Sequence, residues 1–128
     1  MTQIIKEEAL HAGGDKRLSI VAVTACATGV AHTYMAAEQL ERLAKDNNLA
    51  IKIETQGVLG IKNKVTVADV NLADLAIIAS DITIDEPSRF DGCRIINVRI
   101  SSLLLRPAEL IVSIKKIIHQ PRGKVIDL

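Results

Sequence analysis

Cys26 stands where an apolar run, Leu18-Ser19-Ile20-Val21-Ala22-Val23, gives way to the loop Ala27-Thr28-Gly29-Val30-Ala31-His32-Thr33. A thiol at the carboxyl end of a strand, opening a small-residue loop into a helix, is placed to act as a nucleophile. The N–H groups of the helix start face an incoming anion, and the dipole that favours phosphate also favours thiolate. A free thiol with pKa about 8.5 can fall to about 3.5–7.5 in such a setting. Thr28 and Thr33 supply hydroxyl donors, and Gly29 lets the backbone approach a tetrahedral anion closely. His32 offers a ring donor or, when protonated, a positive charge. The loop carries no Lys or Arg. A cysteine phosphatase clamps phosphate bidentately with an arginine six residues after its cysteine, and that position here is His32. A loop that holds phosphate only with N–H groups and hydroxyls suits a carrier that hands its phosphate on. By position alone Cys26 is equally a small buried residue at a strand end; the loop composition favours the phosphate-handling thiol.

The segments around Cys26 alternate. A buried-strand run at 18–24 is followed by a helix across about 32–47, whose Ala36, Leu40, Leu43 and Ala44 form one apolar face. Glu38–Arg42 and Glu41–Lys45 are favourable pairs one turn apart on it. A second strand runs from Ala50 to Thr55 and stops at Gln56-Gly57, and Gly60 to Lys64 reads as a polar loop. Thr66-Val67-Ala68-Asp69 carries a helix-start signal. A third strand, Leu75 to Ala79, leads into the acidic loop Asp81 to Asp91, and a fourth spans Arg94 to Val98. Pro107 opens a last helix striped by Leu110, Ile111, Ile114, Ile117 and Ile118, and Pro121 stops it.

Such alternation with short connections predicts an α/β fold, a small doubly wound, flavodoxin-like sheet flanked by helices. Its four parallel strands take the order 2-1-3-4. Ligands in such sheets sit beyond the carboxyl ends of the strands at the switch point, where Cys26, Gln56-Gly57 and Ser80-Asp81 all fall. Residues 1–16 read as a leader, 17–120 as the domain, and 121–128 as a tail in a turn or frayed.

The 128-residue chain is long enough to bury a core without metal or disulfide support. It holds one Phe, one Tyr and no Trp, which argues against base-stacking or sugar-stacking surfaces, and its net charge of +1 gives no electrostatic footprint for nucleic acid. Cys26 and Cys93 read as free thiols in a reducing cytosol, too far apart in sequence for a zinc motif, with Cys93 structural. No apolar stretch reaches the ~20 residues of a membrane helix, so a membrane partner would be docked onto rather than inserted beside. Glu54 and Gln56 read as polar groups at a sheet edge that support the loop. Asp81 and Asp85-Glu86 read as a solvated acidic loop, His11 and His119 as surface residues, and Lys62 and Lys64 as a docking point for an acidic partner.

The stretch Val21 to Glu38, with Cys26, Thr28-Gly29 and Ala31-His32-Thr33 in order, closely resembles the active-site loop of fructose-type enzyme IIB components. These belong to the bacterial phosphoenolpyruvate-dependent sugar phosphotransferase system. Glu54-Thr55-Gln56-Gly57, followed by Gly60-Ile61-Lys62-Asn63, matches a second signature of that family. The likeness covers roughly residues 18–118; Ala27 departs from it, where the family usually has proline. The resemblance implies that Cys26 takes a phosphoryl group from a phosphohistidine of a IIA domain and delivers it to fructose or a fructose-like sugar in a membrane IIC component. It implies phosphate binding by Ala27, Thr28, Gly29, Val30, Ala31, His32 and Thr33, with Glu54, Gln56 and Gly57 in support. It further implies no metal or organic cofactor, and a cytoplasmic protein peripheral to the inner face of the membrane through IIC. Two alternatives stay open: a cysteine-dependent low-molecular-weight phosphatase or arsenate reductase, and a non-catalytic regulatory domain of IIB type.

Overall fold

The computed structural model describes residues 17–27 and 31–128. The leader read at 1–16 lies outside the described residues, as do Thr28, Gly29 and Val30.

The central strand β1 (Ser19–Ala25) is an apolar run broken only by Ser19 and Thr24, and six of its seven residues are buried. It pairs in parallel with β2 (Ala50–Gly57) on one side and β4 (Leu75–Ser80) on the other. Parallel strands buried on both faces read as continuous apolar runs rather than alternations. β4 in turn pairs in parallel with β5 (Ile95–Val98). These four strands have the 2-1-3-4 order predicted for them. The sheet as a whole has six strands, ordered β3-β2-β1-β4-β5-β6, with β3 (Gly60–Lys62) and β6 (Val125–Asp127) at its edges.

The two added edge strands correct the expectation of four. Gly60–Lys62, read as a polar loop, is β3, antiparallel to β2. The hairpin turn is Val58-Leu59, which lacks the usual Asn-Gly signature; Gly60 takes the strained angle instead, at φ +94°. The tail, read as a turn or frayed, carries β6 (Val125–Asp127), parallel to β5. Leu128 N donates to Asn97 O at 2.8 Å, and Arg122 Nη1 donates to Ala73 O at 3.0 Å, so the tail is tied to the sheet from two sides.

Alternation along β1 sends Ile20, Ala22 and Cys26 to one face of the sheet and Val21, Val23 and Ala25 to the other. The first face is covered by α1 (Ala31–Asp46), α3 (Ile100–Leu105) and α4 (Pro107–Ile117), through Ala36, Leu40, Leu103, Leu110, Ile114 and Ile117. The predicted apolar face of the first helix is the one that packs here. The second face is covered by α2 (Val67–Leu72) and a short 3₁₀ turn at Pro87–Phe90, whose Phe90 is buried.

α2 begins with the predicted start signal, a complete capping box. Thr66 Oγ1 accepts from Asp69 N at 3.1 Å, and Asp69 Oδ2 accepts from Thr66 N at 2.9 Å. α3 leaves no start signal in the sequence, and its cap explains why. Arg99 at the N-cap provides no side-chain hydrogen bond; Asp81, from the loop after β4, accepts from Ile100 N at 3.2 Å. A cap supplied from 19 positions away leaves no local signature.

Candidate functional site

Register places the carboxyl ends of three strands side by side. Ala25 lies opposite Gln56 on β2 and Ser80 on β4, so Cys26 emerges between the two neighbouring strand ends. Its thiol packs on the α1 face and is 7% exposed. Thr33, on the first turn of α1 and fully buried, donates its hydroxyl to Cys26 Sγ at 3.4 Å. That first turn holds no acidic residue to offset the partial positive charge at the start of the sixteen-residue helix. A hydroxyl donor and a helix N-terminus both favour the ionised sulfur over the neutral thiol.

The other loop residues are distributed differently. Ala27 and Ala31 are exposed on either side of the undescribed Thr28-Gly29-Val30. His32 is exposed at the second position of α1, and its side chain makes no hydrogen bond to a described residue. The helix turns the side chain of Thr33, not of His32, onto the sheet.

Glu54 and Gln56 are not edge groups, since β3 takes the edge. They point to the second face, where β2 presents three polar residues in alternation, each tied to a different piece of the covering layer. Lys52 Nζ meets Asp69 Oδ2 of α2 at 2.7 Å. Glu54 is fully buried and holds Arg89 in a fork, Nη1 to Oε1 at 2.5 Å and Nη2 to Oε2 at 2.8 Å. It also accepts from Val65 N at 2.8 Å and Gln56 Nε2 at 2.6 Å. Gln56 Oε1 accepts from Asp85 N at 2.9 Å, which fastens the acidic loop to the end of β2 beside Cys26.

Arg89 is the functional-region residue the sequence reading missed. It is the single basic residue of the acidic segment 81–91, and that isolation was its only signal. Its remaining bonds go to Val65 O at 2.6 Å, Asp85 O at 3.0 Å and Glu86 O at 2.9 Å. All five N–H groups of a guanidinium are thereby spent inside the protein. The tertiary structure therefore does not turn Arg89 into the phosphate clamp that the Cys26 loop lacks. The acidic loop is solvated, with Asp81, Asp85 and Glu86 all exposed, yet each is also tied into the fold: Asp81 caps α3, Asp85 uses its backbone, and Glu86 pairs with Lys64 at 2.7 Å on the surface. Lys64 is thus engaged within the chain. Cys93 is buried beside Phe90, and burial pushes its thiol pKa up, the opposite of what a reactive thiol needs.

Burial opposes ionisation of Glu54, but the hydrogen bonds from Arg89, Gln56 and Val65 N outweigh it and hold the carboxyl below its ordinary value. A carboxyl whose folded pKa is lowered stabilises the fold above its unfolded pKa and loses that contribution as pH falls through the folded value. The urea midpoint is therefore expected to drop on acidification below about pH 4.5. Asp69, lowered mainly by its hydrogen bond from Lys52, adds to the same slope. Glu54→Gln should flatten the pH dependence; parallel curves for wild type and variant would refute the assignment.

Comparison with known proteins gives a consistent picture. The profile of the family described as "PTS system, Lactose/Cellobiose specific IIB subunit" matches residues 21–113. The chain is 50% identical over 94 residues to the fructose-like EIIB component 2 of the PTS of Escherichia coli (strain K12), covering 73% of this chain and 88% of that protein. It is 46% identical over 92 residues to a fructose-specific EIIABC component of Bacillus subtilis (strain 168), covering 72% of this chain and 14% of that much longer one. A crystal structure of a predicted fructose-specific IIB from Escherichia coli superimposes with a TM-score of 0.83 at 39% identity, covering 87% of this chain and 98% of the other.

Proposed function

The chain belongs to the IIB family of the sugar phosphotransferase system, of the fructose-like type, and on that premise we propose that Cys26 is its phosphoryl-carrying residue. As a fructose-type IIB domain it is a phosphoryl carrier in sugar uptake. The observation that carries the assignment to Cys26 is the Thr33 hydroxyl on its sulfur, at the head of a helix without acidic residues in its first turn.

In this reading the Cys26 thiolate attacks the phosphorus of a phosphohistidine on a IIA domain. The S–P bond forms as the P–N bond breaks, and the departing imidazole takes a proton from solvent. In the second half a hydroxyl oxygen of fructose or a fructose-like sugar, held in a membrane IIC component, attacks the same phosphorus. The O–P bond forms, the S–P bond breaks, the thiolate returns and the sugar proton passes to solvent. Both steps are in-line displacements that the protein promotes by positioning and by spreading charge. The backbone around Thr28, Gly29 and Val30 would cradle the phosphoryl oxygens together with Ala27, Ala31, His32 and Thr33. Glu54, Gln56 and Gly57 would hold the neighbouring strand end and acidic loop in place. Among the described residues no helix is long and apolar enough to cross a membrane; in this reading the chain meets IIC as a peripheral cytoplasmic partner. The Bacillus relative named EIIABC, with A, B and C parts in one chain, supports IIA and IIC as the partners.

Incubation with phosphoenolpyruvate, the general relay proteins and a fructose-type IIA should add a single phosphoryl group to the intact chain by mass. An unchanged mass with every fructose-type IIA tried would overturn the carrier reading. Turnover of an aryl phosphate in their absence would point to a phosphatase instead.

A further inference from the structure

Two side-chain oxygens among the described residues are buried without a hydrogen-bond partner: Thr24 Oγ1 and Tyr34 Oη. The two differ in their relation to the thiol. Tyr34 sits about 100° around α1 from Thr33, off the face that meets Cys26. Thr24 precedes Cys26 by one strand alternation, so it faces the same side of the sheet, and it is fully buried.

An unpaired buried hydroxyl is a standing cost, of about 1–3 kcal/mol. Nothing in the packing calls for it. β1 is otherwise built of Ile, Val and Ala up to the thiol, with only Ser19 at its start as an exception, and valine has the shape of threonine without the hydroxyl. The flanking register neighbours are Thr55 and Ala79. Two residues along a strand span about 6.6 Å, and threonine has more than one accessible χ1 well. A χ1 change can therefore swing the hydroxyl along the strand towards the sulfur. Thr33 already donates to that sulfur from the helix.

We propose that Thr24 is a second hydroxyl donor to Cys26, unpaired while the thiol is neutral and engaged when the sulfur is ionised or phosphorylated. A donor that is idle in the resting state and bonded in the charged one stabilises only the charged one. That is how a donor engaged only in the charged state raises reactivity without tightening the ground state. The phosphorylated half of this proposal rests on the carrier reading; the ionised half does not.

The test compares the intact chain with Thr24→Val and Thr24→Ser, each also in a Cys93→Ser background so that a single thiol reports. Thr24→Val should be at least as stable to urea as wild type, because it removes an unpaired hydroxyl. Its Cys26 alkylation rate should rise with pH along a curve displaced to higher pH, and its phosphoryl acceptance from IIA should slow by about 10- to 100-fold, the scale of one hydrogen bond to a charged group. Thr24→Ser should restore both. An unchanged alkylation profile in Thr24→Val overturns the proposal, as does a loss of stability matching that of an ordinary hydrogen-bond deletion. If wild type accepts no phosphoryl group, the carrier reading fails while the alkylation profiles still decide the role of Thr24.

Discussion

Cys26→Ser is expected to accept no phosphoryl group from any IIA donor, whereas Cys93→Ser accepts it at the wild-type rate. The contrast follows from the two environments. Cys26 lies at a strand end with a hydroxyl donor on its sulfur and a helix N-terminus ahead of it. Cys93 is 1% exposed in the core of the other sheet face, and burial moves its thiol away from ionisation. Serine keeps the size of the side chain and can accept the Thr33 hydrogen bond, so the fold should survive. Its alcohol stays protonated at neutral pH, however, and is a far weaker nucleophile than a thiolate. Intact mass after incubation with phosphoenolpyruvate and the relay proteins reads the result, and circular dichroism verifies the fold. Phosphorylation of Cys26→Ser but not of Cys93→Ser would transfer the carrier role to the wrong thiol and refute the site.

Arg89→Met is expected to lower stability by about 3–5 kcal/mol, the usual cost of stripping one partner from a buried ion pair. Whole domains are commonly stable by only about 5–15 kcal/mol, so this variant should sit near the edge of folding. Glu54 would keep only Gln56 and Val65 N as donors. Three carbonyls, of Val65, Asp85 and Glu86, would lose theirs. The loss spreads to function because the same network fastens the acidic loop beside the strand ends that flank Cys26. The double variant Glu54→Leu/Arg89→Met should recover much of the stability, since an apolar pair leaves no buried charge. Urea denaturation of the single and double variants checks both statements. A single variant within about 0.5 kcal/mol of wild type, the range of ordinary surface substitutions, would show that the fork contributes nothing.

The extra strands and α3 escaped a sequence reading for a shared reason. Each is short, and each owes its existence to a partner elsewhere in the chain. β3 and β6 are three residues apiece and persist because β2 and β5 offer unpaired edges. α3 starts on a carboxylate lent by Asp81. The long elements were legible because their signals are internal: the apolar run of β1, the periodic face of α1, the capping box of α2 and Pro107 at the head of α4. Glu54 shows the same limit at the site. As a residue type it reads as a surface carboxylate, and only Arg89, 35 positions away, makes its burial affordable.

What the sequence by itself determined is the thiol and its place. A mostly apolar run ending in Cys26, small residues after it and an amphipathic helix beyond put a thiol at the carboxyl end of a parallel strand, and the absent arginine is what supports reading it as a carrier's thiol. Those are short-range facts, written in neighbouring residues. Only the tertiary structure decided which hydroxyl meets the sulfur, that Thr33 rather than His32 turns inward, and that the one arginine folded into this region is spent on Glu54. Hydrogen-bond partners are settled by distances of a few ångströms across the chain. A pattern of residue types carries no such distances, which is why Cys26 could be recognised in the sequence while its surroundings had to be seen folded.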